Sequence, residues 1–463
     1  MKFLVAAAAA AGSVAGQAIA DVDSLRMDQT QMLGSHNSYH LTPERPVPEW
    51  RFSMAEFDTQ LSGGVRQVEL DLQPDSNDDA AYDVQHIKIF DAKSHCETLD
   101  ECLTDLHTWS AANPTHSPIF VWLETKDSLS VAQFNAIDAK IRAMYTAEQM
   151  FTPDDMMAYG VAEGEEAHAS LVDSLTANGG WPTVGDMRGR TVFCLNNGYD
   201  NYMQGEFATL SGRVAFPVYS HSPFVRHSTQ ALTQVLVSGT KQDESELVTA
   251  IEQARAFDPP QLVRARADAV FVPGLLESEI KAGYFDMLDS NGDSYISLSE
   301  AQTFFDATSI TEDVSNLAVL IEACGGDSDL GAEIGNFGCI NSIVGQAASP
   351  LYPDIDEFET TAMAKRRRDV VLHAGAHFAS TDFPLEVAET DYVVSLRTVN
   401  GQVACNPVSV SSTDCPAAAI GVGYSPPGEY VDDEADNRAD GASRAALASV
   451  LATVVAVGAV LIL

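Results

Sequence analysis

The chain has 463 residues, of which 66 are Asp or Glu and 26 are Lys or Arg, so its formal net charge is −40. A surface this acidic argues against nucleic acid as a partner, because the phosphate backbone would repel it. The apolar fraction of 45% is ordinary for a globular protein, and the length allows two or three domains, or one large barrel with additions.

Both ends of the chain carry apolar runs that predict targeting segments. Residues 1–20 combine one Lys, an apolar run and an Ala-Ile-Ala ending, which is typical of a secretory signal peptide. Residues 445–463 are apolar and uncharged and follow an acidic stalk at 425–444. This tail predicts a GPI-anchor signal or a single membrane span, and the lack of basic residues after it favours the anchor. We therefore expect a secreted or cell-surface protein.

Polar side chains stand at the ends of the first predicted strands. An apolar run that begins at Gln31 breaks into Gly-Ser-His36-Asn37, and the next strand alternates so that Glu69 and Asp71 share one face. Later strands end in His86 and Glu124. Such strand ends are where a parallel barrel carries its catalytic groups.

Strands and helices alternate along most of the chain, which predicts an α/β protein with a parallel sheet. Eight strands predict a closed TIM-type (β/α)8 barrel formed by residues 21–272 and completed by strand eight within 363–391. After the first two strands, the predicted strands are residues 82–87, 118–126, 191–195, 215–219, 261–267 and 376–381, and residues 131–150 predict a helix.

The seven cysteines form three local pairs and leave Cys194 over in an apolar run. The short spacing within each pair predicts disulfides in a secreted chain. Cys194 is predicted to be a buried thiol in the core. The third pair would tie a small C-terminal extension at residues 392–424. The predicted bonds are Cys96–Cys102, Cys324–Cys339 and Cys405–Cys415.

The polar strand ends provide the groups for a calcium site flanked by two imidazoles. Carboxylate and amide oxygens are the ligands that Ca²⁺ prefers, and His36 and His86 could transfer protons or stabilise phosphate. Strand seven carries Arg264 and Arg266 on one face. These arginines would bind phosphate or inositol hydroxyls, or form ion pairs with neighbouring acids.

An insertion at residues 273–362, between strands seven and eight, contains a twelve-residue EF-hand loop from Asp289 to Glu300. Ser294 replaces the usual Gly at position six, where a positive φ costs a non-Gly residue about 1–2 kcal/mol. A second, degenerate loop follows, in which Ile334 is expected opposite Ile296. The predicted calcium ligands are Asp289, Asn291, Asp293, Tyr295 through its carbonyl, Ser297 and Glu300.

The order of these motifs resembles calcium-dependent phosphatidylinositol-specific phospholipase C, in its secreted bacterial-type branch. The resemblance is carried by Gly34-Ser-His36-Asn37, Glu69-Leu-Asp71, His86 and Glu124, and by residues 96–103, 113–118, 263–268 and 378–384. It implies a barrel of the PLC-like phosphodiesterase superfamily, acting as a monomer on phosphatidylinositol at a membrane surface. The products would be diacylglycerol and an inositol phosphate, cyclic or open, formed through attack by the inositol 2-hydroxyl.

The resemblance also implies a role for each site residue. Asn37, Glu69, Asp71 and Glu124 would bind calcium, and Glu69 or Glu124 would take the 2-hydroxyl proton. His36 would donate to the phosphoryl oxygens. His86 would protonate the departing diacylglycerol oxygen and later activate water. Lys126, two residues beyond Glu124 on the same strand face, would contact phosphate.

Two other functions compete with this interpretation. A glycerophosphodiester phosphodiesterase also uses Glu-x-Asp followed by a His on this barrel, but its first strand would end in His-Arg-Gly, where this chain has His36-Asn37-Ser. A non-catalytic calcium-binding surface protein would need only the EF-hand. If the enzyme interpretation holds, the EF-hand calcium would either regulate a wall over the active site or only stabilise the insertion.

Overall fold

The computed structural model describes residues 22–75, 78–221, 227–236, 244–307, 315–327, 329–347, 352–396 and 403–410. The predicted signal peptide, acidic stalk and apolar tail lie outside these residues. Within the described ranges, no helix combines the length and apolar character needed to cross a membrane.

In the part of the chain that the structure describes, ten strands form one sheet. Eight of them are parallel and close into a barrel, because the first strand pairs with both the second and the ninth. This confirms the predicted TIM-type fold. The strands are β1 (Thr30–Ser35), β2 (Val65–Pro74), β3 (Tyr82–Val84), β4 (Ile119–Thr125), β5 (Thr191–Leu195), β6 (Ala215–Ser220), β7 (Leu232–Val235), β8 (Leu262–Arg266), β9 (Phe378–Thr381) and β10 (Ala404–Cys405).

Helices connect most of the barrel strands and cover the outside of the sheet. They are α1 (Phe57–Ser62), α2 (Leu99–Ala112), α3 (Val131–Met144), α4 (Pro153–Ala158), α5 (Leu171–Asn178), α6 (Tyr199–Tyr202), α7 (Glu244–Arg255), α8 (Glu277–Leu288), α9 (Leu298–Ala307), α10 (Ser315–Ala323), α11 (Ile334–Ala347) and α12 (Thr361–His373). The helix predicted over residues 131–150 is therefore shorter, because α3 ends at Met144.

One predicted barrel strand is wrong. Residues 82–87 do not enter the barrel; β3 instead pairs antiparallel with the end of β2, with Val84 opposite Leu72. The missing barrel strand is β7, which lies between β6 and β8. Its four residues, Leu-Thr-Gln-Val, are too few to show a period-two pattern in the sequence.

The barrel interior is apolar at one end and polar at the other. Phe120, Trp122 and Phe378 pack edge to face, with ring centroids 4.8 and 5.2 Å from Phe378. Above them, Gly34 of β1 faces Gln67 so closely that a Cβ at position 34 would lie 2.1 Å from Gln67 Oε1. A side chain at position 34 would therefore displace the carboxamide of Gln67, which donates a hydrogen bond to Ser35 O at 3.3 Å.

The insertion between β8 and β9 contains α8 to α11 and has its own apolar cluster. This cluster also includes Val47 and Trp50 from the loop after β1, so it packs against the barrel. The loop between α8 and α9 pairs antiparallel with the second loop at Ile296 and Ala332. The expected partner Ile334 is thus wrong, because the second loop is in a register two residues earlier. Ser294 has φ 74°, as its place in the loop predicts.

The C-terminal extension packs on the barrel, and two of the three predicted disulfides are present. β10 pairs antiparallel with the start of β1. Cys96–Cys102 and Cys324–Cys339 are bonded, and Cys194 is buried and free. Cys405 is disulfide-bonded, and its predicted partner Cys415 lies outside the described residues.

His377 predicts an acid-sensitive step in stability. Its Nδ1 accepts a hydrogen bond from Val263 N at 3.0 Å and its Nε2 donates to Asp28 O at 3.1 Å, so the ring is neutral in the fold. Burial, and then Arg255, lowers its pKa to about 4. The unfolded chain therefore binds the proton first. The free energy of unfolding falls by up to about 3 kcal/mol as the pH drops from about 6.5, the ordinary pKa of histidine, to about 4.

Urea unfolding at several pH values in this range tests the expectation. In His377→Gln, the free energy of unfolding should fall less steeply with decreasing pH than in wild type. The difference in slope should correspond to the uptake of up to one proton on unfolding. An equal slope in both proteins would show that His377 does not supply the acid-sensitive step.

Candidate active site

The predicted site residues meet at the carboxyl end of the barrel strands. His36 and Asn37 follow β1, Glu69 and Asp71 lie in β2, and Glu124 lies in β4. They surround or underlie a cavity of about 150 Å³. Its lining includes His36, Asn37, His86, Glu124, Lys126, Arg266 and Asp382, with Trp50, Phe52, Val270, Phe271, Pro353 and Glu357 among the residues of its walls.

Three carboxylates form a cluster with the composition of a calcium site. Glu69, Asp71 and Glu124 each offer an oxygen, and these oxygens lie within 4.8 Å of one another. Asn37 adjoins them, because its backbone N donates to Glu69 Oε2 at 3.4 Å. Asp71 Oδ1 is buried and accepts no hydrogen bond from the described residues. Hard oxygen donors around an unsatisfied carboxylate oxygen fit Ca²⁺.

The carboxylates of the cluster have different proton affinities. Burial raises the pKa of Asp71 to about 6, although Lys126 opposes the shift. Burial also raises the pKa of Glu124, but the Lys126 ammonium and hydrogen bonds from Lys126 and Asn196 outweigh it and hold the value at about 2. Glu124 is therefore ionised at any working pH and available to a cation.

Two basic side chains neutralise the cluster. Lys126 Nζ lies 2.6 Å from Glu124 Oε1 and 2.9 Å from Asp71 Oδ2. Arg264 donates to both oxygens of Glu69, at 3.0 and 2.5 Å, and also to Gln234 and Ser380. Arg264 is buried and is absent from the cavity lining, so of the two predicted arginines only Arg266 faces the cavity.

His36 is held by a carboxylate that follows β9. Its Nδ1 lies 2.7 Å from Asp382 Oδ1, and the other oxygen of Asp382 accepts from Arg266 at 2.9 Å. Burial, and then the charge of Arg266, lowers the pKa of His36 well below its usual value. An ionised Asp382 accepts at Nδ1, which leaves Nε2 of a neutral ring with a lone pair for the cavity.

His86 is held by a second carboxylate, Asp91. His86 Nδ1 lies 2.9 Å from Asp91 Oδ2, and Asp91 Oδ1 lies 2.8 Å from Nε2 of the buried His40. Asp382, Asp91 and His40 were not predicted as site residues. Asp382 follows a barrel strand, so its position was a usable signal, whereas Asp91 lies in a loop without any pattern and His40 is one of several unassigned histidines.

The predicted EF-hand residues lie apart from the cavity. Asp289 Oδ1 accepts from Gly292 N and Oδ2 accepts from Ser294 N, at 2.8 and 2.9 Å. The Glu300 carboxylate accepts from Asn291 N at 3.1 Å and from Ser297 N at 2.9 Å. Asp289 and Glu300 are thus buried and hydrogen-bonded to the backbone of the loop, whereas Asn291 and Asp293 are exposed.

Comparison with known proteins gives one family match. Residues 76–297 match the family described as "Phosphoinositide phospholipase C, Ca2+-dependent". No curated protein matches.

The solved structures that are similar to this chain share little sequence identity with it. A calcium-dependent phosphoinositol-specific phospholipase C from Pseudomonas sp. is 21% identical, with 53% of this chain and 84% of that chain covered and a TM-score of 0.40. A Ca²⁺-dependent phosphatidylinositol-specific phospholipase C from Streptomyces antibioticus is 19% identical, with 78% and 95% covered and a TM-score of 0.38.

Proposed function

We propose that this chain is a Ca²⁺-dependent phosphoinositide phospholipase C, a phosphoric diester hydrolase, which cleaves phosphatidylinositol at a membrane surface. The match of residues 76–297 to the model of that family supports this proposal. The products would be diacylglycerol and inositol 1,2-cyclic phosphate, with slower opening of the ring by water. The observation that supports this most is that His36, His86 and Glu124 line one cavity, where Glu124 forms a cluster with the buried Glu69 and Asp71.

Asn37, Glu69, Asp71 and Glu124 would hold the active-site calcium. Calcium bound there would lower the pKa of the inositol 2-hydroxyl and offset charge on the phosphate. Arg264 would act through Glu69, because it holds both of that carboxylate's oxygens. Lys126 and Arg266 line the cavity and would bind the phosphodiester.

Proton transfer falls to the two histidines and one carboxylate. His86, with Nδ1 bound to Asp91, would deliver a proton from Nε2 to the departing diacylglycerol oxygen. Glu69 or Glu124 would take the 2-hydroxyl proton, and the pKa of about 2 at Glu124 makes that carboxylate a weak base. His36 would donate to the phosphoryl oxygens once the phosphodiester anion offsets the lowered pKa of its ring. In its neutral form, Nε2 of His36 is an alternative acceptor of the 2-hydroxyl proton.

Diacylglycerol release from phosphatidylinositol vesicles, with calcium or with a chelator, tests the proposed function. We expect calcium-dependent release from phosphatidylinositol and little from phosphatidylcholine. Cleavage of glycerophosphoinositol without diacylglycerol release would favour the glycerophosphodiester phosphodiesterase. No reaction with either substrate would favour a calcium-binding surface protein.

We propose an extracellular location, which two disulfides support because such bonds persist in oxidising compartments. The signal peptide at residues 1–20 and the anchor or span at 445–463 stay proposals from the sequence. The acidic surface fits a protein that works as a monomer in calcium-containing surroundings.

A second calcium is proposed for the loop between α8 and α9. Asp289, Asn291, Asp293, Ser297 and Glu300 would bind it through side chains and Tyr295 through its carbonyl. This insertion touches the active-site loops: Phe304 of α9 packs edge to face on Phe90 at 5.2 Å, and Tyr284 of α8 donates to Glu49 of the cavity wall. Calcium in the loop would therefore help to order the segment that carries His86 and Asp91.

Glu300→Gln tests this second site. We expect calcium stoichiometry to fall from two to one and the calcium concentration for half-maximal turnover to rise about tenfold, with little change at saturating calcium, because the active-site ligands stay intact. Asp329→Asn in the second loop is the matched control. Unchanged stoichiometry would contradict the site, and lowered stoichiometry with an unchanged activity curve would leave it a purely structural ion.

A further inference from the structure

The loop after β1 brings one further carboxylate into the wall of the cavity. Residues Pro48–Trp50 form a short 3-10 helix, in which Trp50 N donates to Val47 O at 3.0 Å. Val47 and Trp50 are buried in the apolar cluster of the insertion. Glu49 lies between them in the chain and lines the cavity beside Trp50. The packing of its neighbours therefore holds Glu49 in the cavity wall.

The two carboxylate oxygens of Glu49 have different surroundings. Oε1 accepts a hydrogen bond from the hydroxyl group of Tyr284, a buried residue of α8 in the insertion. Oε2 is buried and has no hydrogen-bond partner among the described residues. Burial raises the pKa of Glu49, although the hydrogen bond from Tyr284 opposes the shift. A buried carboxylate oxygen without a donor is costly, so its place in a cavity wall indicates that a bound molecule supplies the donor.

The chemistry of phosphatidylinositol identifies this donor. The phosphodiester anion and the ester groups of the lipid only accept hydrogen bonds. The hydrogen-bond donors of the molecule are the hydroxyl groups of its inositol ring. Because the 2-hydroxyl is the nucleophile of the proposed reaction, the donor for Glu49 is one of the other ring hydroxyl groups.

The charges around the cavity also favour a hydroxyl group over a further phosphate at this wall. Lys126 and Arg266 line the cavity, and each already contacts two carboxylates. Arg51, which also faces Glu49, pairs with a glutamate of α8 at 3.6 Å. Glu357, from the segment before α12, adds another carboxylate to the lining. A phosphate monoester carries about −1.5 to −2 charges at neutral pH and would be repelled by these carboxylates, whereas a hydroxyl group can donate to them.

We propose that Glu49 is a substrate-binding residue, whose Oε2 accepts a hydrogen bond from an inositol hydroxyl group other than the 2-hydroxyl. Tyr284 positions this carboxylate, so the insertion between β8 and β9 contributes to the selection of the headgroup. The proposal rests on the proposed function, because that function supplies the inositol ring. A site built to bind a hydroxyl group discriminates against an analogue that lacks it, since the buried oxygen is then left without a partner.

Phosphatidylinositol analogues that each lack one hydroxyl group, at ring position 3, 4, 5 or 6, test this role. For wild type, one analogue should be cleaved with a kcat/KM about 100-fold or more below that of phosphatidylinositol. Glu49→Gln keeps an acceptor for Tyr284 but loses the charge at Oε2. In this variant, kcat/KM should fall about tenfold on phosphatidylinositol and less than about twofold on that same analogue.

Matched variants keep the outcome decisive. Glu44→Gln, at an exposed glutamate of the same loop, should discriminate among the analogues as wild type does. Tyr284→Phe should weaken the discrimination, because Glu49 loses the donor that holds it, and this variant decides the question if Glu49→Gln does not fold. Equal losses on phosphatidylinositol and on every analogue would overturn the proposal. Faster cleavage of phosphatidylinositol 4-phosphate than of phosphatidylinositol by wild type would also contradict it.

Binding of myo-inositol 1-phosphate, measured by NMR titration of the calcium-loaded protein, separates this proposal from the proposed function. Wild type should bind the probe, and Glu49→Gln should bind it about tenfold more weakly. Equal binding by both proteins, or no binding to wild type, would overturn the proposal even if phosphatidylinositol is cleaved. Weaker binding by Glu49→Gln without any cleavage by wild type would support the binding role of Glu49 and contradict the proposed function alone.

Discussion

His86→Ala is expected to lower kcat on phosphatidylinositol about 1,000-fold while the protein stays folded. The side chain lies at the cavity edge and its Nδ1 is bound to Asp91, so its loss removes the proton donor for the leaving oxygen without opening the core. General acid catalysis contributes about 100- to 10,000-fold, which sets the size of the effect. Vesicle hydrolysis, with thermal unfolding as the check on folding, measures it.

The leaving group provides the sharper comparison. On a 4-nitrophenyl inositol phosphate, His86→Ala should lose less than about tenfold, because the departing phenolate needs no proton. His168→Ala, at a histidine outside the cavity, is the matched control. An equal loss on both substrates would contradict a general-acid role for His86.

Glu124→Gln is expected to abolish calcium-dependent turnover, lowering kcat/KM about 1,000-fold or more. Metal-ion catalysis supplies several kcal/mol of charge stabilisation, and each tenfold in rate corresponds to about 1.4 kcal/mol. Glu124 is ionised at any working pH, and its amide replacement loses a charge from the three-carboxylate cluster. Lys126 would keep Asp71 as its remaining partner, so we expect folding to survive.

Calcium titration calorimetry locates the defect. In a Glu300→Gln background, where only the active-site ion should bind, Glu124→Gln should remove the remaining binding event, and the conservative Glu124→Asp should restore part of it. Retention of one tight calcium in the double variant would contradict the assignment of Glu124 as a ligand.

The barrel and much of its site could be predicted because strand ends carry the chemistry. In β2, alternation alone placed Glu69 and Asp71 on one face, and the structure brings them together with Glu124 from β4. Parallel strands in a closed barrel present their carboxyl ends at one rim, so such side chains meet wherever they stand in the sequence.

Other parts of the site depend on contacts that no local pattern records. Asp91 and His40 meet across 51 residues, and Arg264 meets Glu69 across 195. The sequence of the basic run at residues 365–368 predicts one solvated turn of a helix, with contact to an anionic membrane as the alternative. The structure instead buries Arg367 and Arg368 and pairs Lys365 with Asp391. Acidic partners far along the chain decide where such charges lie, and a single sequence does not reveal them.

Phosphorus NMR of phosphatidylinositol vesicles with the mature protein tests the central claim most directly. With calcium, we expect inositol 1,2-cyclic phosphate to appear first and inositol 1-phosphate later, and we expect neither with a chelator or with His86→Ala. Direct formation of inositol 1-phosphate without the cyclic ester would contradict attack by the inositol 2-hydroxyl. Unchanged vesicle spectra with calcium present would contradict the phospholipase function itself.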